Sequence, residues 1–202
     1  MHWAMYDGVR RVAGPGARAV CPCCQNEVLA KCGEIIRWHW AHRANDCDTW
    51  HEPESEWHLS WKRKFPNEWQ EVVIGCHRAD VKTPKLVVEL QASSLSAGEI
   101  RERERHYGSM VWLLRGHSFD SNLDVRLTAS SGFFTFRWKW PRKSWWYATA
   151  PIVIDLLGHL LHVKKLYPDT PCGGWGYRIT EEQFMQRCGV MRCLRERAGS
   201  ER

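Results

Sequence analysis

The sequence predicts an α/β protein: a mixed sheet flanked by helices, behind a small Cys-rich module and ahead of a β-rich extension. Three observations support this. Residues 51–117 alternate helix-period and strand-period segments in the order helix, hairpin, helix, strand, the order of an α/β core. Residues 1–50 concentrate Cys, His and Gly. Residues 118–202 are rich in Trp and strand formers, broken by Pro and Gly, and end in a basic tail.

Composition sets the bounds. A chain of 202 residues with 44% hydrophobic content can bury a real core. No apolar run approaches the roughly 20 residues of a membrane span. "MHWAMYDGVRR" lacks the apolar stretch of a secretory signal, so a soluble cytoplasmic protein is expected. The net charge of +6 suits a polyanionic partner, and equally a solvated basic surface. Nine cysteines without a signal peptide argue against a disulfide framework and for metal ligands or reduced thiols.

The first element is "CPCCQNEVLAKCGEIIRWHWAHRANDCD". Cys21 and Cys24 have the C-x-x-C spacing with which one tight turn presents two thiolates to a tetrahedral ion. Cys32, His39, His42 and Cys47 follow. The favoured zinc set is Cys21, Cys24, His42 and Cys47, with His39 as the alternative nitrogen and Cys23 as a competing thiol. Four protein ligands close the site, so such a zinc holds the fold and does no chemistry. Reduced buried cysteines with satisfied histidines are the plainer reading.

"DTWHEPESEWHLSWKRKF" predicts a helix. Pro53 suits its first position, acids at 52, 54 and 56 suit its positive end, and Lys62-Arg63-Lys64 suit its C-terminal end. Glu54, His58 and Lys62 fall at i, i+4, i+8 on one face, either a solvated face of paired charges or part of a site. "QEVVIG", "HRADV" and "KLVVELQ" read as strands, with a turn at "TPK". Glu89 and Gln91, two apart, share one face. If these strands pair, Asp80 approaches Glu89, and two neighbouring carboxylates suit Mg²⁺ or Mn²⁺. "SAGEIRERERHYG" predicts a second helix, with Ser96 and Glu99 as a capping box and Gly108 closing it. "MVWLL" is then a buried strand.

In the last region "FFTFRWKWPRKSWWYATAP" interleaves Arg and Lys with aromatics. That mix can stack bases and neutralise phosphates, with Arg142 and Lys143 as candidates. It also fits a twisted hairpin burying alternate rings. "PIVIDLLGHLLHVKKL" predicts two strands about Gly158, "CGGWGYRIT" a Gly-rich loop and edge strand, and "RCGVMRCLRERAGSER" a short basic helix with a frayed end.

Taken in order, Asp80, "VVELQ", helix and strand resemble the PD-(D/E)XK nuclease core. Where that superfamily has Glu-x-Lys, this chain has Glu89-Leu90-Gln91. Within it, the sequence resembles the competence protein CoiA-like family. The matching elements are the C-x-x-C pair, "HWAH" at 39–42, the Glu54-Ser55, His58 and Lys62 set, "RADV" at 78–81, "ELQASSLS" at 89–96, Arg103 with Tyr107, and "VWLL" at 111–114. They fall in one order over roughly residues 20–115. The Glu-x-Gln form is familiar in that family. The resemblance implies a nuclease-like domain behind a zinc module, acting on DNA. It assigns Asp80 and Glu89 to Mg²⁺, Glu54 to the metal's surroundings and Gln91 to water or phosphate. Lys62 or His58 would supply the charge or proton transfer of the missing lysine. Arg78, Arg103 and Tyr107 would hold phosphate, though Arg78 can instead pair with a carboxylate. The rival expectations are a non-catalytic DNA-binding accessory of recombination or competence, and a phage or mobile-element factor acting on a host protein.

Overall fold

A computed structural model of the chain describes residues 1–34, 37–43, 47–50, 52–128, 131–156, 159–169 and 171–190. It forms two compact units, residues 1–81 and 82–202. The boundaries expected at 50 and 117 mark changes of composition; the division at 81/82 is one of packing.

The first unit opens with five short antiparallel strands: β1 (Trp3–Tyr6), β2 (Val9–Val12), β3 (Arg18–Val20), β4 (Glu27–Lys31) and β5 (His39–His42), in the order β2-β1-β3-β4-β5. Asp7 and Gly8 make the β1–β2 turn with φ of 49° and 75°, the left-handed pair that a tight two-residue hairpin requires. Ala4, Ala19, Cys21, Val28 and Trp40 form its small core. Helix α1 (Glu56–Lys62) follows, then the antiparallel hairpin β6 (Gln70–Ile74) and β7 (His77–Lys82). The helix starts later than Pro53 suggested. Ser55 caps it: its hydroxyl accepts the His58 N–H while His58 Nδ1 accepts the Ser55 N–H, a capping box with His in the Glu position.

The second unit holds β8 (Val87–Gln91), α2 (Ala97–Tyr107), β9 (Met110–Arg115), β10 (Leu123–Leu127), β11 (Phe133–Trp138), β12 (Ile152–Leu156), β13 (His159–Tyr167), β14 (Gly173–Ile179) and α3 (Glu181–Arg187). Within it the strand order is β10-β11-β14-β13-β12-β9-β8. The β8–β9 and β9–β12 pairs are parallel and the others antiparallel, which makes the expected mixed sheet. A parallel neighbour needs a crossover, and α2 provides it between β8 and β9. The Ser96–Glu99 capping box starts α2 as predicted, and Gly108 closes it at φ 66°. Glu104 fixes the helix by accepting from Trp112 Nε1 at 2.9 Å, the Thr149 hydroxyl at 2.6 Å and the Ala150 N–H at 3.0 Å.

Two expectations for the Trp-rich region resolve differently. β11 alternates as read: Phe134, Phe136 and Trp138 are buried while Thr135 and Arg137 face out. The segment expected to be a Gly-rich loop and edge strand is instead β14, inside the sheet between β11 and β13. Its glycines are there for space. A Cβ on Gly176 would collide with the His162 carbonyl and press on the Phe134 ring; one on Gly174 would meet the Lys165 carbonyl and Phe136. Strands fall on either side of Gly158, which with most of the basic tail lies outside the described residues. Among the described residues no helix is long and apolar enough to cross a membrane.

Candidate functional site

The favoured zinc set converges. The ligand atoms of Cys21, Cys24, His42 and Cys47 all lie within 4.8 Å of one another. Cys21 Sγ is 3.8 Å from Cys47 Sγ, and Cys24 Sγ is 3.3 Å from His42 Nε2. Among the described residues this is the one group of three or more His, Cys, Asp or Glu side chains placed to hold a metal ion. The turn after β3 sets the first pair, with Cys21 bonded to Asn26 and Gln25 through the backbone. The pleat of β5 decides between the histidines. His39 and His42 are three apart and point to opposite faces, so only one can enter the cluster. His39 bonds the Arg37 carbonyl instead, and Cys23 Sγ bonds the Cys76 carbonyl. Burial raises the Cys21 thiol to about 11 despite N–H groups from Cys24 and Cys23. A thiol so placed needs a cation to ionise, and a Cys₃His set suits zinc.

Asp48, next to Cys47, joins this cluster to β7. Its buried carboxylate takes His77 Nδ1 at 2.9 Å, the Trp50 N–H at 3.0 Å and the Arg78 N–H at 2.7 Å. Despite burial, those partners hold its carboxyl below the usual range. The Trp50 and His77 rings stack at 3.3 Å and 4°. A cleft of about 650 Å³ in this unit is lined by His42, Cys47, Asp48, Glu54 and Arg78 among others.

A second cluster is built on Lys62. Its buried ammonium lies 2.7 Å from Glu54 Oε1, 3.1 Å from Glu71 Oε1 and 3.1 Å from Asp80 Oδ1. Burial works against the charge, but Glu71, Asp80 and Glu54 together hold the ammonium above its ordinary value. Glu71 is likewise buried, yet Lys62 and Arg78 push its carboxyl well below the usual range. Glu71 also accepts the N–H groups of His2 and Trp3 at 2.9 and 3.1 Å. Its φ is 48°, an unfavourable left-handed conformation for a side chain of this size, which the ion pair and hydrogen bonds hold in place.

Three of the predicted residues, Glu54, Lys62 and Asp80, are therefore brought together. His58 is close in sequence but is turned to the helix start: Nδ1 lies 2.8 Å from Ser55 Oγ, and Nε2 is 3.4 Å from Glu52. Arg78 sits among carboxylates, where Glu71, Asp48 and Asp80 overcome burial and raise its pKa, so its carboxylate-pairing role is the one the surroundings favour. In the second unit Glu89 is buried and meets Arg103 Nη1 at 3.3 Å. Gln91 Nε2 donates to the Ser93 carbonyl and hydroxyl, both at 3.2 Å. Tyr107 is buried. Arg142 donates to the Ala92 and Ser93 carbonyls at 3.3 and 3.1 Å and lies 5.0 Å from the Phe119 ring, so it braces the loop after β8. Lys143 is exposed.

Sequence reasoning missed Glu71 and Asp48. Glu71 was readable only as the polar opening of an apolar strand. Asp48 stood beside a proposed ligand with no spacing to mark it.

Residues 17–49 match the family model described as competence protein CoiA, N-terminal domain, a span that contains all four residues of the Cys₃His set. The match supports the CoiA-like family. No curated protein and no solved structure matches the chain.

Proposed function

We propose that the protein acts on DNA as a Mg²⁺- or Mn²⁺-dependent nuclease that hydrolyses phosphodiester bonds in DNA processing or recombination. The observation that supports this reading is the Lys62 ammonium 3.1 Å from Asp80 and 2.7 Å from Glu54. The strand motif Glu89-Leu90-Gln91 has no lysine, and an amide cannot carry charge at neutral pH. Lys62 supplies a fixed cation from α1 beside one of the acids that the resemblance assigns to metal binding. Asp80 and Glu54, with side chains 23% and 13% exposed, offer the oxygen donors a hard divalent ion prefers. When bound, such an ion polarises a phosphoryl oxygen and lowers the pKa of a coordinated water. Lys62 offsets the carboxylates on the buried side and holds Asp80 in place. Zinc in the Cys₃His set has a structural part only, since four protein ligands leave no open position.

The test is direct. Purified protein is incubated with linear, single-stranded and branched DNA and Mg²⁺ or Mn²⁺. Metal-dependent cutting is expected, lost in Asp80→Ala and in Glu89→Ala and reduced in Lys62→Met. Cutting that survives both alanine changes sinks the assignment.

A second reading has its own observation. Glu89 is neutralised by buried Arg103 and Asp80 by Lys62, so both acids already have protein cations. A non-catalytic DNA-binding accessory would look the same. It predicts salt-dependent DNA binding with no metal-dependent cutting.

A further inference from the structure

We infer that the solvent-facing side of β11, β14 and β13 is a stacking platform for single-stranded nucleic acid. The choice of occupant rests on the DNA reading above; the platform itself rests on the register of the sheet.

Directly paired residues of neighbouring strands share a face. Phe133 pairs with Tyr177, Thr135 with Trp175, and Arg137 with Gly173. On the other side of β14, His162 pairs with Tyr177, Lys165 with Trp175, and Tyr167 with Gly173. On β10, Arg126 pairs with Thr135 and Asp124 with Arg137. All of these lie on one side of the sheet. The other side holds buried Phe134, Phe136 and Trp138.

The outer face therefore carries four aromatic residues, Tyr167 and Tyr177 exposed and Phe133 and Trp175 half-buried. Phe133, Trp175 and Tyr177 form a mutual triad, with ring centroids 5.9, 5.9 and 6.0 Å apart. Tyr177 is 41% exposed and Tyr167 43%. The Phe133–Tyr177 and Trp175–Tyr177 pairs are near-perpendicular, at 71° and 82°, so those rings do not cover one another's faces. Gly173 leaves the row between Arg137 and Tyr167 flat.

Charge selects the partner. Exposed Arg126 and Arg137 lie on one flank of the triad and exposed Lys165 on the other, its ammonium 5.4 Å from the Tyr167 ring. The acid on this face, Asp124, is 3.9 Å from Arg126. Rings flanked by two arginines on one side and a lysine on the other match a strand whose bases face inward and whose phosphates lie at the rim. A duplex hides its base faces and cannot use the rings. This face, rather than Arg142, whose guanidinium is bonded to backbone carbonyls, is where the Trp-rich extension meets a base.

The experiment uses the full chain and a fluorescein-labelled oligothymidylate, with anisotropy read across a salt series. Wild type is expected to bind, more weakly as salt rises. Trp175→Ala and Tyr177→Ala should each weaken binding roughly tenfold, in line with the loss of one stacked base. Trp175→Phe should restore most of the affinity. Arg137→Glu, a change at an exposed position that leaves the core untouched, should weaken binding and flatten the salt dependence. If wild type binds and the Trp175, Tyr177 and Arg137 variants bind as tightly, the platform is wrong and the DNA reading stands. If wild type prefers duplex to single strand, or if the variants lose a protein partner while keeping the oligonucleotide, the platform is also wrong. If wild type binds no nucleic acid at low salt, the DNA reading fails and the platform with it.

Discussion

The two units hold their interiors together by different means. In the first, a buried lysine sits among three carboxylates, and a buried aspartate gathers a histidine and two backbone N–H groups. In the second, the interior is mostly apolar: Val87, Val88, Leu90, Val111, Leu113, Ile152 and Ile154 are buried along the strands, around the Glu89–Arg103 pair and Glu104. The contrast matters because the two kinds of interior fail differently. A charged cluster depends on every partner, and losing one leaves the rest uncompensated. An apolar core loses contacts in proportion to what is removed, and pH does not alter the loss.

Lys62→Met against Phe136→Ala is the sharpest way to break that comparison. Each should cost about 3–5 kcal/mol in denaturant unfolding. Their pH behaviour should part. Without the ammonium, buried Glu71 loses the largest partner that depresses its pKa while Glu54 and Asp80 stay nearby, so its carboxyl rises toward the ordinary range and protonation relieves it. The deficit of Lys62→Met should therefore shrink as pH falls from 7 to 5, while that of Phe136→Ala stays level. A Lys62→Met deficit that ignores pH would mean the cluster contributes nothing as charge.

The same contrast explains what could be read from the sequence. Short-range chemistry was readable. The C-x-x-C turn gave Cys21 and Cys24, and the Ser96–Glu99 box gave the start of α2. Alternation in "FTFRW" gave both faces of β11. Long-range chemistry was not. Glu71 meets Lys62 through a left-handed backbone turn that no residue type announces. Gly173, Gly174 and Gly176 look like a loop until the carbonyls of neighbouring strands are seen to occupy the space a Cβ would need. Pro53 and the acids around it suggested an earlier helix start, but Ser55 formed the cap because its box partner, His58, was three residues on. The four expected zinc ligands converge because they are close in sequence and a strand's pleat left one histidine to join them.

Metal removal separates the units next. Freshly purified protein should carry one zinc per chain, and Cys24→Ser should carry far less. Chelation should raise hydrogen exchange across β3–β5 and at the Arg78 amide, whose N–H donates at 2.7 Å to Asp48, the residue after Cys47. Exchange in β12 and β13 should not change. Protection that persists in β3–β5 without metal would assign their order to the small core around Trp40 alone.

Acid should distinguish the units again, more weakly. Asp48 and Glu71 have depressed pKa values in the fold, so their contribution is present above their unfolded values and is lost as pH falls through the folded ones. That loss lies below about pH 4–4.5, the ordinary carboxylate range. In the second unit burial, with Lys164 and Arg187 nearby, lowers His162 to about 4. There the unfolded chain takes the proton first, so stability falls as pH drops from about 6.5, the ordinary histidine value, toward 4. Melting measured at pH 7, 5.5 and 4 should fall first through His162, and His162→Asn should flatten that first step. A first step unchanged in His162→Asn would trace the loss to another group.

The smallest effect compares the two capping boxes. Ser96→Ala removes a cap at an exposed helix start and should cost about 1 kcal/mol. Ser55→Ala removes the hydroxyl that stands 2.8 Å from His58 Nδ1, a ring that is itself buried. It should cost more, toward about 2 kcal/mol, because a buried imidazole nitrogen keeps only the 3.3 Å backbone N–H of residue 55 and loses its shorter hydroxyl partner. The larger cost should appear together with weaker order in α1, the helix that carries Lys62. A Ser55→Ala protein with unchanged exchange in α1 would show that Lys62 and its carboxylates hold that helix without the cap.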